Sequence, residues 1–172
     1  MSSRLILVTG GARSGKSAFA ERKMGELAPG GPWRYIATAE AMDDEMRDRI
    51  VHHRARRGPE WRTVEVPREV AGALRSAEYA VLLDCVTLWI SNLMLDGAKD
   101  EAIMAAADEA AAAARAAGVP VLFVTNEVGS GMVPNHPLSR RFRDLEGWVN
   151  QRLALACDEV FLIVAGLPLK IK

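Results

Sequence analysis

Lys16 and Ser17 stand side by side at the end of GGARSGKS, residues 10–17, behind Gly10, Gly11 and Gly15. The spacing G-x-x-x-x-G-K-S suits the binding and transfer of phosphoryl groups. Backbone N–H groups of the turn, which includes Ala12, Arg13 and Ser14, can wrap a triphosphate. The glycines supply the positive φ angles and close backbone approach that this demands. The Lys16 ammonium can reach the β- and γ-phosphates, and the Ser17 hydroxyl can ligate Mg²⁺. A nucleoside triphosphate is the expected ligand.

Asp84 closes the apolar run AVLL at residues 80–83. A carboxylate at the end of a buried strand can hold Mg²⁺, directly or through water, opposite the Ser17 hydroxyl. The competing reading is an acid that caps a helix starting near Thr87. Glu65 ends a second, shorter strand and offers a further acid at the same edge. Thr38 closes the run YIA and is followed by Ala39 and Glu40. Its hydroxyl suits either that edge or a helix cap.

Residues 42–57 carry most of the remaining chemistry. Asp48 and His52 lie four apart and therefore share one face of a helix. The carboxylate can fix the imidazole tautomer and raise its basicity, as an orienting partner does for a nucleophile. Arg49 and Arg56 flank His52 at minus three and plus four, suited to phosphate oxygens. A solvated, charged helix face has the same pattern, and spacing alone leaves both readings open. Residues 125–147, TNEVGSGMVPNHPLSRRFRDLEG, form a polar loop that can face a substrate or simply lead into a helix. Its charge comes from Arg140, Arg141 and Arg143; His136 reads as a loop residue, not a catalyst.

These groups need a sheet to hold them. Apolar runs predict buried strands at 5–9, 34–37, 62–66, 79–83, 120–124 and 159–164. Helices are expected at 16–28, 42–57, 67–76, 86–95, 99–117 and 137–157. The alternation predicts an α/β fold: a mainly parallel sheet with helices on both faces, and the phosphate loop at its carboxyl edge. Gly118 and Pro120 end the alanine-rich helix. Pro168 limits the 165–172 tail to a sheet edge.

The chain has 172 residues, which fits one domain, and its 22 Lys and Arg balance 22 Asp and Glu. No global charge steers it to nucleic acid or anionic lipid. No apolar run approaches the roughly 20 residues of a membrane span, and the first residues open into a strand with no leader. A cytoplasmic protein is expected. Cys85 and Cys157 lack metal spacing and read as buried, reduced thiols. On the residues alone, the chain is a Mg²⁺-dependent phosphotransferase or nucleotide hydrolase. A kinase of another small alcohol or nucleotide fits, as does a nucleotide-switched binding module.

Seven segments sharpen this: TGGARSGKS at 9–17, YIATAEAMDDEM at 35–46, RIVHHRARR at 49–57, LLDCVTLWISN at 82–92, VTNEVGSGMVP at 124–134, RRFRDLEGWVNQRLA at 140–154 and the GLPLKIK tail. In this order they resemble the bifunctional adenosylcobinamide kinase/adenosylcobinamide-phosphate guanylyltransferase family of cobalamin biosynthesis, over essentially the whole chain. The resemblance implies a RecA-like P-loop NTPase fold and a homotrimer. It implies phosphorylation of adenosylcobinamide with ATP or GTP. GMP then passes from GTP to adenosylcobinamide-phosphate through a guanylylated histidine, with release of pyrophosphate. By motif that histidine is His52. Residues 10–17, Thr38, Ala39, Glu40, His53, Arg54, Ala55, Arg56, Glu65 and Asp84 are implied to line the nucleotide site.

Overall fold

A computed structural model of the chain describes residues 3–40, 44 and 57–172. Seven described strands form one sheet: β1 (Leu5–Thr9), β2 (Trp33–Ala37), β3 (Trp61–Glu65), β4 (Val81–Asp84), β5 (Val121–Val124), β6 (Glu159–Val164) and β7 (Leu167–Lys170). Their spatial order is β3-β2-β4-β5-β1-β6-β7. Every pairing is parallel except β6 with β7. Five described helices connect them: α1 (Lys16–Leu27), α2 (Val70–Arg75), α3 (Val86–Leu95), α4 (Asp100–Ala116) and α5 (Pro137–Ala156). The expected helix at 42–57 lies almost wholly outside the described residues.

Side chains of a strand alternate between faces, so two cores arise from the same apolar runs. Leu5, Leu7, Leu83, Val121 and Phe123 point to one face and pack under Ile90, Ile103, Ala107, Leu145 and Val149 of the longer helices. Ile6, Val8, Leu82, Leu122 and Val124 point to the other face and meet Phe19, Ala20 and Met24 of α1. In α4 the small Ala107, Ala110 and Ala114 are fully buried, so this alanine-rich stretch is a packed helix and no linker. It ends at Ala116, and Gly118 takes φ +73 just beyond.

One expectation is corrected. Strand 62–66 was expected to be buried, yet β3 is an edge strand whose residues 62–65 are all exposed. WRTVE carries too few large apolar residues to bury two faces, and an edge position does not demand it. The tail does form an edge strand, antiparallel to β6, with Pro168 opposite Ile163. Its Leu167, Leu169 and Ile171 are 72%, 59% and 60% exposed. No described helix is long and apolar enough to cross a membrane.

Candidate active site

The phosphate loop leaves β1 at Thr9 and turns into α1 at Lys16. Two of its glycines have a steric reason. A Cβ on Gly10, at φ +151, would sit 2.4 Å from the Ile163 carbonyl oxygen. Gly15, at φ +97, lies against the Gly166 backbone, which itself donates its N–H to the Ser14 carbonyl at 2.8 Å. Arg13 also takes a positive φ, 56°, so successive N–H groups turn inward as an anion nest does. Ser14 Oγ is buried with no hydrogen-bond partner among the described residues. An orphaned hydroxyl in a ring of N–H donors fits a phosphate group.

Lys16 is buried, and its Nζ donates to the Gly11 carbonyl at 2.7 Å, arching back over the loop. Burial pushes the Lys16 ammonium below its ordinary pKa, against the opposing pull of Cys85 and Asp84. Ser17 Oγ donates to Asp84 Oδ2 at 3.1 Å. These two residues are 67 apart in sequence. The strand order explains their meeting: β5 separates β1 from β4, and the start of α1 carries Ser17 across to the end of β4. Asp84 does not cap the following helix. Cys85 does, its Sγ accepting from the Leu88 N–H at 3.4 Å, which leaves the Asp84 carboxylate facing Ser17. Two hard oxygen donors beside a phosphate nest fit Mg²⁺, which takes few protein ligands and fills its shell with phosphate and water.

The register sets out the rest of the edge. Glu65 pairs with Ala37, Ala37 with Asp84, Asp84 with Val124, and Val124 with Val8. Glu65 is thus level with Asp84 but two strands away, roughly 10 Å at ordinary strand spacing. Thr38 is fully buried, and both functions of its hydroxyl are used on one residue. It donates to the Cys85 carbonyl at 2.7 Å and accepts the Cys85 N–H at 2.9 Å. It therefore fixes the turn that presents Asp84. Ala39 is half-buried next to it. Glu40 makes a bidentate pair with Arg68, at 2.8 and 3.1 Å. Gly11, Ala12, Arg13 and Ser14 border an open cavity of about 460 Å³, closed on the other side by Glu127, Ser130 and residues 162–165.

The comparisons with known proteins decide the family. Residues 6–171 match the family model described as cobinamide kinase / cobinamide phosphate guanyltransferase. The chain belongs to this family. It is 45% identical over 183 residues to the bifunctional adenosylcobalamin biosynthesis protein CobU of Escherichia coli strain K12, covering 98% of this chain and 99% of that protein. It is 44% identical over 176 residues to CobP of Pseudomonas aeruginosa, with 96% of each chain covered. Among solved structures, a KaiC-like protein from Pyrococcus horikoshii superposes with a TM-score of 0.52 at 15% identity, covering 94% of this chain and 71% of that one. That likeness is one of fold and bears out the RecA-like sheet. As a member of the cobinamide kinase/guanyltransferase family, the chain is an enzyme.

Of the family's expected site residues, the structure brings together Gly10–Ser17 and Asp84, with Thr38 behind Asp84. His52, His53, Arg54, Ala55 and Arg56 lie outside the described residues, as do Asp48 and Arg49. Arg140, Arg141 and Arg143, expected to charge the 125–147 loop, lie in the first turns of α5, and Arg140 also braces the loop. Arg140 donates to the Pro134 and Asn135 carbonyls at 3.1 and 2.7 Å. Arg141 binds Asp100 at 2.7 Å, and Arg143 lies 3.6 Å from Asp144. His136 caps α5, its Nδ1 accepting from the Leu138 N–H. Both cysteines are free, Cys157 buried and Cys85 half-buried.

Two further groups, one bonded to Asp84 and one over that partner's ring, are not signalled as site residues by the sequence. Tyr35 Oη donates to Asp84 Oδ2 at 2.8 Å; burial, and then the Asp84 charge, push the phenol well above its ordinary pKa, so it remains a donor. The Arg57 guanidinium lies 3.6 Å over the Tyr35 ring. Its buried Nε and Nη1 have no hydrogen-bond partner among the described residues. Strand alternation could have placed Tyr35 on the α1 face with Ala37, but nothing local signals its contact with Asp84.

Proposed function

We propose that this enzyme phosphorylates the aminopropanol hydroxyl of adenosylcobinamide with ATP or GTP, then passes GMP from GTP to that phosphate through His52. The products are adenosylcobinamide-GDP and pyrophosphate. The observation that carries the kinase half is the juxtaposition of Lys16, Ser17 and Asp84 on an intact phosphate loop. Family membership carries the guanylyl half. Lys16 moves from the Gly11 carbonyl onto the β- and γ-phosphate oxygens, where its charge meets the charge developing on transfer. Thr38 and Tyr35 hold Asp84 in place from two sides. Residues 38–40, 53–56 and Glu65 complete the nucleotide site, and Arg57 adds two donors near Asp84.

When bound, Mg²⁺ would neutralise phosphate charge, and Ser17 and Asp84 would hold it. Asp84→Asn removes one negative charge from that pair while keeping the acceptor for Tyr35. The Mg²⁺ concentration for half-maximal activity is expected to rise about tenfold or more in both reactions. An unchanged Mg²⁺ titration would return Asp84 to a purely structural role.

The test of the whole reading uses labelled GTP. γ-Label on a corrinoid marks the kinase, and α-label retained on protein marks the guanylyltransferase. A generic kinase gives neither the corrinoid product nor the protein label, and a binding module transfers nothing. The reading also includes a homotrimer in the cytoplasm. The apolar β7 edge, Leu167, Leu169 and Ile171, is a surface suited to a second copy. Light scattering on the purified chain should give three times the mass of one chain; a monomer at micromolar concentration would overturn that part.

A further inference from the structure

We infer that Glu146 carries a proton in the folded protein and, through it, closes a hydrogen-bonded ring that positions residues 125–127 against the phosphate loop. Glu146 lies in α5, fully buried, within a stretch, RRFRDLEGW, that reads as surface charge. No lysine or arginine among the described residues pairs with it.

Three oxygen–oxygen contacts of 2.8 Å meet here: Thr87 Oγ1 with Glu146 Oε1, Thr125 Oγ1 with Glu146 Oε1, and Thr125 Oγ1 with Asn150 Oδ1. Each contact needs a hydrogen between its oxygens. The two threonines supply two. The Asn150 amide cannot be turned to supply the third, because its Nδ2 donates to the Asn126 carbonyl at 2.9 Å. A reversed amide would set two acceptors against each other there. The missing hydrogen therefore sits on the Glu146 carboxyl.

With it the ring closes in one direction. The Asn126 N–H donates to Thr87 Oγ1 at 2.9 Å, and the Thr87 hydroxyl donates to Glu146 Oε1. Glu146 donates to Thr125, Thr125 to Asn150, and Asn150 back to the Asn126 carbonyl. The second carboxyl oxygen, Oε2, is buried without a partner among the described residues. A carbonyl oxygen tolerates that far better than half of a carboxylate would. Burial pushes the Glu146 carboxyl up, opposed by the polar groups around it: the Thr87, Thr125 and Asn150 side chains and the Asn126 N–H. The groups facing it are Thr87 from α3, Thr125 and Asn126 after β5, and Asn150 from α5. Cys85 at the head of α3 also feels the Glu146 charge, and is a thiol itself pushed up to about 12 by burial and then by Asp84. None of these groups supplies a cation.

The ring matters because its strap touches the site. The Thr125 N–H donates to the Val8 carbonyl, and the Glu127 N–H donates to the Gly10 carbonyl, both at 3.0 Å. Glu127 Oε1 in turn accepts the N–H groups of Gly129 and Ser130, at 2.7 and 3.1 Å, and so shapes the far wall of the cavity. Glu146 is thus a positioning residue for the phosphate loop. Its protonation is independent of which substrate the enzyme takes.

Infrared spectra at neutral pH test this on the whole protein. The wild type should show a protonated-carboxyl stretch that shifts on ¹³C-glutamate labelling and on H/D exchange. Glu146→Gln should lack it. Linkage supplies a second readout: a carboxyl raised in the fold stabilises fully below its unfolded pKa, near 4.3, and loses that stabilisation as pH rises toward its folded pKa. The melting temperature of Glu146→Gln relative to wild type should therefore climb from pH 5 to pH 8. Kinase turnover of Glu146→Gln should stay within a few-fold of wild type. Glu146→Ala, which opens the ring, should lose on the order of tenfold or more in kcat, since small displacements of a positioned group are costly. Absence of the band, or a melting difference that stays flat or falls with pH, would overturn the proposal. The labelled wild type gives the first readout even if neither variant folds.

Discussion

Lys16→Ala is expected to lower kinase kcat by about 10²–10³-fold, the scale of losing one preorganised charge aimed at the transition state. The variant gives up a single hydrogen bond, from Nζ to the Gly11 carbonyl. It also removes a buried ammonium that the fold holds below its ordinary pKa, so the scaffold loses no favourable burial. Circular dichroism should be native and the melting temperature unchanged or higher. The loss should fall on kcat more than on KM for the corrinoid, because the lysine serves the phosphates. Kinase turnover near wild type in a correctly folded variant would sink the assignment.

The loop was legible because its geometry is local: β1, GGARSGKS and α1 are contiguous, and each glycine's role follows from the turn itself. Asp84 was legible as an acid ending a buried strand, but its partner was not. That Ser17 meets it depends on β5 lying between β1 and β4, and strand order is set by packing across the whole sheet. Cys85 taking the cap that Asp84 was thought to compete for is a decision of one residue, beyond the reach of a propensity. The exposure of β3 and the bracing roles of Arg140 and Arg141 are likewise tertiary facts. Glu146 is the sharpest case. In sequence it is one more charge in a charged helix, and only the facing threonines and asparagine make it neutral and central.

His52→Ala separates the two half-reactions. Phosphoryl transfer at the γ-phosphate depends on Lys16 and the loop, whereas guanylyl transfer at the α-phosphate needs a nucleophile in line with pyrophosphate departure. An imidazole suits that step, because its neutral nitrogen attacks without first shedding a proton and the phosphoramidate formed passes GMP onward. Wild-type enzyme incubated with α-labelled GTP should therefore acquire acid-labile, alkali-stable label. In His52→Ala that label, and the formation of adenosylcobinamide-GDP, should fall by at least about 10³-fold, as loss of a covalent nucleophile does. Kinase activity should survive in part, which shows that the fold and the phosphate loop are intact. His53→Ala should still take label, with weaker nucleotide binding. Label that persists in His52→Ala but disappears in His53→Ala would move the nucleophile to the neighbouring histidine. Label unaffected by either change would place the nucleophile outside residues 49–57.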